Sequence, residues 1–411
     1  MPIGTTRGKI IPKSYFGMHV NNALPQAKHP YNGVECPLFT DIGYGTIRFW
    51  DAYVVHRLLN PSNGVYDWTA MDYRVAAAEA AGLDIIYTFG AMPDWATTAP
   101  GPYPNYNPNP PTQMIYLTTF VTQLVTRYAG RIKYYETWNE VDSSGSWVGT
   151  VAQMVAQGQA IYPAVKAADP NAIVLSPDTI SWGSLNNLIG MAYLDTYLQS
   201  ASAYCDAIAV HLYTDPSQPE TYYTLCRAYQ NLAQKYNKTS VICTETGVLT
   251  YYSSSGVLKD PKANGAGDIM PEQQGASWTT RMLLMGWLGG LDCLCYYLLD
   301  NTNTVMAINF TDYSPSGAVA SARYEPMQAY KYVATLLTGG TLSNFKQKGY
   351  QCEADFSTKD GKFGKVVWCL DYKTVTYDLT GNASAYTCVG TPVAIVNNYT
   401  LTNTPVFIFK R

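Results

Sequence analysis

Two stretches of the chain put a carboxylic acid where an extended run gives way to a loop. Residues 132–138 are largely aromatic and β-branched and run into Asn139-Glu140, followed by the loop residues Val141-Asp142-Ser143. Residues 241–244, Val-Ile-Cys-Thr, run into Glu245. Such composition and alternation mark both as strands. Cleaving an acetal requires a proton for the departing oxygen and a negative group beside the cationic sugar carbon, and a protonated and an ionised carboxyl supply the two. Glu140 and Glu245 are therefore the candidate catalytic pair, and Asn139 can hydrogen-bond a sugar hydroxyl next to the bond being cut. Glu136 is the nearest competitor: it shares parity with Glu140 and reads equally well as part of a buried network. Trp138 is expected to point away and pack.

Other polar residues sit in apolar strands. Arg48, within residues 45–51, needs a carboxylate or carbonyls to satisfy it if buried. His19 ends a first strand at residues 15–20 and faces either solvent or a pocket. His211 and Tyr213 lie two apart on a strand over 206–213, so they point the same way. Trp95 follows a rigid Met92-Pro93-Asp94 segment. Tyr103 lies in a Pro- and Asn-rich loop over 100–111 and Tyr296 on a strand over 293–300; both join the residues expected to touch substrate. Asp300 and Glu325 serve either structure or binding.

These residues need a frame that brings strand ends together. Eight strand-like segments, mostly separated by helical ones, predict an α/β chain with a (β/α)8 TIM barrel over residues 14–338. Strand-end residues of such a barrel gather at one face. After residue 341 only short strands and turns follow, which predicts a small β-sandwich over 339–411, with residues 1–13 a candidate to complete it. A helix over 148–169 should break or kink at Pro163. Residues 251–275 read as a rim or lid loop.

Composition narrows the partners. Net charge is -3 with 27 Lys and Arg and no basic tract, so nucleic acid is not expected. The 35 Tyr and 9 Trp suit sugar faces and core packing alike. No apolar run reaches the ~18 residues a spanning helix takes, so no membrane insertion is expected. With four His and neither a zinc nor a dinucleotide motif, no metal and no cofactor are expected. Of nine Cys, a disulfide is expected among Cys352, Cys369 and Cys388 if the compartment is oxidising. Oligomeric state stays open.

In the order in which these pieces occur, the chain resembles the retaining glycosidases of the large (β/α)8 clan A, and within it is most similar to glycoside hydrolase family 39. The resemblance spans roughly residues 16–337. It implies Glu140 as acid/base, following Asn139, and Glu245 as nucleophile. Arg48 would partner the nucleophile, and His19, His211, Tyr213 and Trp95, two residues after Pro93, would line the site. It implies double-displacement hydrolysis of an oligosaccharide or polysaccharide, with Glu245 ionised at rest and the pKa of Glu140 raised. Endo action in an extracellular or periplasmic setting is expected; an exo-acting β-xylosidase-like enzyme and a non-catalytic carbohydrate-binding barrel are the alternatives.

Overall fold

The computed structural model describes residues 9–20, 40–50, 52–101, 107–183, 189–214, 220–247, 272–299, 309–313, 319–323, 325–370 and 373–411. Nine parallel strands form one ladder: β1 (Phe16–His19), β2 (Thr46–Phe49), β3 (Asp84–Thr88), β4 (Tyr134–Glu136), β5 (Ile173–Leu175), β6 (Ile180–Gly183), β7 (Ile208–Thr214), β8 (Val241–Thr246) and β9 (Cys293–Tyr296). Their spatial order is β5-β4-β3-β2-β1-β9-β8-β7-β6. A parallel bridge from Leu175 to Ala207 joins the two ends. β5 and β6 are two halves of one interrupted fifth strand, so the result is an eight-stranded barrel.

Strand alternation divides the core. Ile86, Leu175, Ala209, Ile242, Cys293 and Cys295 point inward and fill the barrel beneath its upper rim. Large aliphatic and small residues share this layer, and the barrel is tight there: a Cβ on Gly17 would stand 2.6 Å from Cys295 Sγ. The alternate residues, such as Tyr87, Val174 and Leu294, face the surrounding helices. Those helices are α1 (His56–Leu59), α2 (Thr69–Ala80), α3 (Met114–Arg127), α4 (Val151–Ala168), α5 (Ile189–Ala201), α6 (Thr221–Lys235), α7 (Glu272–Gly289) and α8 (Glu325–Leu337). α3 shows the underlying logic: Leu117, Phe120, Val121, Leu124 and Val125 fall on one buried stripe. Each such side chain contributes about 1.5–3 kcal/mol by leaving water.

Three sequence expectations need amendment. α4 runs through Pro163 from Val151 to Ala168, opened by a reciprocal capping box between Thr150 and Gln153. α7 begins at Glu272, inside the stretch read as loop. An antiparallel hairpin, β10 (Asn309–Tyr313) with β11 (Val319–Arg323), follows β9 where only a connection was expected.

Beyond the barrel, β12 (Thr341–Lys348), β13 (Gln351–Ser357), β14 (Phe363–Cys369), β16 (Ser384–Thr387) and β18 (Val406–Phe409) form a five-stranded antiparallel sheet. β15 (Val375–Tyr377) and β17 (Tyr399–Leu401) pair beside it. Ile10 makes an antiparallel bridge to Thr341. Glu220, just before α6, ties this region to the barrel: it pairs bidentately with Arg281 of α7 and accepts the indole N–H of Trp368 at 2.8 Å. The expected disulfide is absent, since Cys352, Cys369 and Cys388 are all free and buried. The register explains it: Cys352 opposes Trp368, so Cys369, one residue on, faces the other side of the sheet. Cys36 lies outside the described residues.

Candidate active site

The C-terminal ends of β1, β2, β4, β7 and β8 carry one buried polar cluster organised by Arg48. Its side chain is fully buried. Nε and Nη2 donate to Glu136 Oε2 at 3.0 and 2.8 Å, Nη2 also to Asn139 Oδ1 at 2.7 Å, and Nη1 to Glu245 Oε2 at 3.0 Å. Nη1 further donates to His19 Nδ1 at 3.3 Å. Thr88 completes the support of Glu136, donating to Oε2 at 2.6 Å. Burial lowers the proton affinity of Arg48, but the charges of Glu136, Asp178 and Glu245 outweigh it and raise that affinity above its usual range.

Glu245 accepts the Tyr213 hydroxyl at Oε1, 2.7 Å away. A bulge in β8 aims it: the pairing with β9 shifts between Cys243 and Thr246, and that with β7 shifts at His211. Thr246 consequently turns outward, its hydroxyl toward Leu212 O and Met282 Sδ. One extra residue thus re-aims a side chain without ending the strand.

Glu140 lies just past β4 with φ 48, a left-handed conformation that costs a non-glycine residue about 1–3 kcal/mol. Its N–H donates to Asp178 Oδ1 at 2.8 Å, and its Oε1 lies 3.0 Å from His211 Nδ1. Ser146 donates to Oε2 at 3.4 Å. On the far side of the imidazole, Nε2 is 3.2 Å from Asp178 Oδ2. Burial lowers the proton affinity of His211, but Asp178 and Glu245 outweigh it, so the imidazole stays protonated well above its usual range. Burial raises the Glu140 carboxyl, yet the hydrogen bond and charge of His211, with Arg48, leave it below the usual range. That reverses the expectation of a raised value in the free protein. The neighbour responsible is His211, whose contact with Glu140 is invisible in sequence.

Exposure separates the four carboxyls. The side chains of Glu136 and Asp178 are 0% exposed, whereas Glu140 keeps 21% and Glu245 11%. Oxygens of Glu140 and Glu245 and a nitrogen of His211 all lie within 4.8 Å of one another. Glu136, Asp178 and His211 form a second triplet as close. Arg48, in contact with Glu136, Asp178 and Glu245, supplies the positive charge that such acidic groupings require.

The other anticipated residues scatter. His19 is buried beside Arg48, its ring 4.6 Å from that of Tyr297. Tyr296 is fully buried, edge-on to Tyr330 of α8, so it faces the helices and not the pocket. Tyr297, half-buried, has the inward parity of Cys293 and Cys295 and takes the place expected of Tyr296. Trp95 is half-buried, donates its indole N–H to Asn60 O at 3.0 Å and rests edge-on against Tyr116; no hydrogen bond joins it to the acid pair. Trp138 packs away, edge-on to Trp147, as expected. Tyr103 and Asp300 lie outside the described residues. Sequence reasoning missed Asp178 and Tyr297; the alternation through β9 was the available signal for Tyr297.

A family model described as cellulase (glycosyl hydrolase family 5) matches residues 38–280. Endo-1,4-beta-xylanase C of Paenibacillus barcinonensis is 22% identical over 227 residues, covering 50% of this chain and 20% of that protein. The chain thus spans about a fifth of that relative's length. Among solved structures, a family 39 glycoside hydrolase from Bacteroides cellulosilyticus WH2 superposes with TM-score 0.71 at 16% identity, over 97% of this chain and 81% of the other. A family 39 β-xylosidase from Caulobacter crescentus gives 0.58 at 16%, over 90% of each. At these identities the structures speak to fold. Clan A is the common ground: family 5 enters by sequence and family 39 by architecture.

Proposed function

Because the chain belongs to the cellulase family, glycosyl hydrolase family 5, we propose that it hydrolyses the O-glycosidic bonds of a polysaccharide from within the chain, by double displacement with retention. The observation that carries this is the Glu140–Glu245 pair, two partly exposed carboxyls whose nearest oxygens lie within 4.8 Å. Retaining enzymes hold their carboxyls about 5–5.5 Å apart, and inverting ones need about 6.5–9.5 Å to admit a water.

In this reading Glu245 attacks the anomeric carbon while Glu140 gives its proton to the leaving oxygen. Arg48 and Tyr213 hold Glu245 from two sides, which keeps it aimed. Water then takes the place of the departed sugar, loses its proton to Glu140, and displaces Glu245. Asn139, oriented by Arg48, reaches a hydroxyl next to the reacting carbon. Tyr297 packs its ring against that of His19, which Arg48 also contacts. We place the catalytic unit at residues 14–338 and read 339–411 as a structural β-module. A polymeric substrate favours an extracellular or periplasmic site of action. Among the described residues no helix is long and apolar enough to cross a membrane.

Endo action is supported by the name of the xylanase relative. Purified protein should be offered xylan, β-glucans and aryl glycosides, with product sizes followed over time. Mixed oligosaccharides at the earliest points are expected. Monosaccharide alone from the start would replace this reading with an exo-acting one, and no product from any glycan would replace it with carbohydrate binding.

A further inference from the structure

The fifth strand breaks where it passes the acid pair. Leu175 bridges Ala207 and Ile180 pairs with His211, so this strand holds one residue more than its neighbour over the same rise. Asp178 lies in that break, fully buried. Its backbone is stitched to the far side of β4: Asp178 N–H donates to Trp138 O at 3.0 Å and Asp178 O accepts from Val141 N–H at 3.2 Å. Its side chain touches three parts of the machinery. Oδ1 accepts the N–H of Glu140, where the backbone is left-handed, at 2.8 Å, while Oδ2 lies 3.2 Å from His211 Nε2 and 3.4 Å from Arg48 Nη2. The other nitrogen of the same imidazole meets Glu140 Oε1. Asp178 and Glu140 therefore flank His211, one beside each ring nitrogen, the Glu140 contact a hydrogen bond and the Asp178 contact an ion pair without hydrogen-bond alignment.

We propose that Asp178 is a positioning residue for the acid–base step: acting through His211, it holds the imidazole against Glu140 Oε1, and through the Glu140 N–H it holds the backbone turn that presents that carboxyl. The inference rests on the reading of Glu140 as acid/base. The proton count closes over the cycle. In the substrate-loaded site, where the sugar excludes water, Glu140 takes up one proton; it gives that proton to the glycosidic oxygen as the C–O bond breaks, leaving a carboxylate that faces the Nδ1–H of His211. In the second half, water gives a proton to Glu140 as its oxygen bonds the anomeric carbon and the ester to Glu245 breaks.

The charged groups facing Asp178 are Arg48 from β2, Glu136 from β4 and His211 from β7. Burial, against the pull of His211, brings its carboxyl up to about 7. Removing the Asp178 charge lowers the proton affinity of His211.

Asp178→Asn tests the charge while keeping an oxygen for the Glu140 N–H. On the natural glycan kcat/KM should fall about 10–100-fold, as expected when acid catalysis is impaired. The loss on activated aryl glycosides, whose leaving group needs little protonation, should be at least tenfold smaller. The alkaline limb of kcat/KM should move about one pH unit toward acid. Equal losses on both substrate classes with an unmoved limb, or no loss at all, would overturn the inference. Nitrogen NMR of His211 in the unsubstituted protein adds a reading that needs no variant: both ring nitrogens should remain protonated beyond pH 7, and a neutral ring there would overturn it too. Glu140→Ala run alongside separates the two layers. If Glu140→Ala shows the leaving-group split and Asp178→Asn does not, only this inference falls; if the unsubstituted enzyme cleaves no glycoside, the functional reading falls and takes this one with it.

Discussion

Arg48 Nη1 lies 3.0 Å from Glu245 Oε2 although 197 positions separate the two residues. The same guanidinium reaches Glu136, Asn139 and Asp178. One cation thus holds the proposed nucleophile and its neighbours in register, and its fork geometry matters as much as its charge. Arg48→Lys should cut kcat/KM by about 10²-fold or more and lower Tm, since an ammonium cannot face all these acceptors from one place. Steady-state kinetics beside thermal unfolding check this; near-parental kinetics would mean Arg48 serves the fold alone.

Tyr213→Phe removes a single hydroxyl, the one 2.7 Å from Glu245 Oε1. A hydrogen bond to a charged group contributes about 1.5–3 kcal/mol. We expect kcat/KM to drop roughly 10–100-fold by that figure, with a small change in Tm. A large Tm loss with unchanged kinetics would assign Tyr213 to packing.

Stability should depend on pH with a definite sign. Asp178 sits at about 7 in the folded protein against about 3.9 in an unfolded chain. The native state therefore binds more protons than the unfolded one between those values, and stability falls as pH rises through that window. His211, also raised, adds a loss at higher pH, as its folded-state proton leaves. The lowered Glu136 and Glu140 act oppositely, their contribution vanishing as pH falls below the usual carboxylate range. Tm of the unsubstituted protein should decline from pH 5 to pH 8, and Asp178→Asn should flatten that decline. Parallel curves for the two proteins would remove Asp178 as the source.

Glu140→Ala and Glu245→Ala should separate the two roles. Losing Glu245 should abolish turnover of every glycoside, with azide rescuing a glycosyl azide of inverted configuration. Losing Glu140 should harm natural substrates far more than activated aryl glycosides. Folded variants with near-parental rates would refute both assignments.

Much of the barrel was legible because buried strands are short apolar runs, and their eight-fold recurrence survives errors at any one boundary. Polar residues inside such runs, Arg48, His211 and Glu245 among them, stood out because burial without a partner is costly. The rest depended on parity and register. Reading β9 correctly as a strand but choosing Tyr296 over Tyr297 selected the outward face. A disulfide was expected among Cys352, Cys369 and Cys388, while all three are free and the sheet turns Cys352 and Cys369 to opposite sides. Asp178 was passed over because a Ser-Pro-Asp segment reads as the end of a strand, whereas here the strand resumes at Ile180 and leaves the carboxyl inside the barrel. Trp95 is half-buried, and its indole N–H meets Asn60 O, a contact that 35 positions of separation hide in the sequence.

The central claim is that Glu245 becomes covalently bonded to the sugar. A fluorosugar substrate that glycosylates the enzyme quickly and hydrolyses slowly tests it most directly, with the label located by peptide mass spectrometry. The account predicts one sugar per chain, on the peptide containing Glu245 and lost in Glu245→Ala. A label on Glu136 or Glu140, or steady hydrolysis of good substrates with no covalent species at any time, would contradict it.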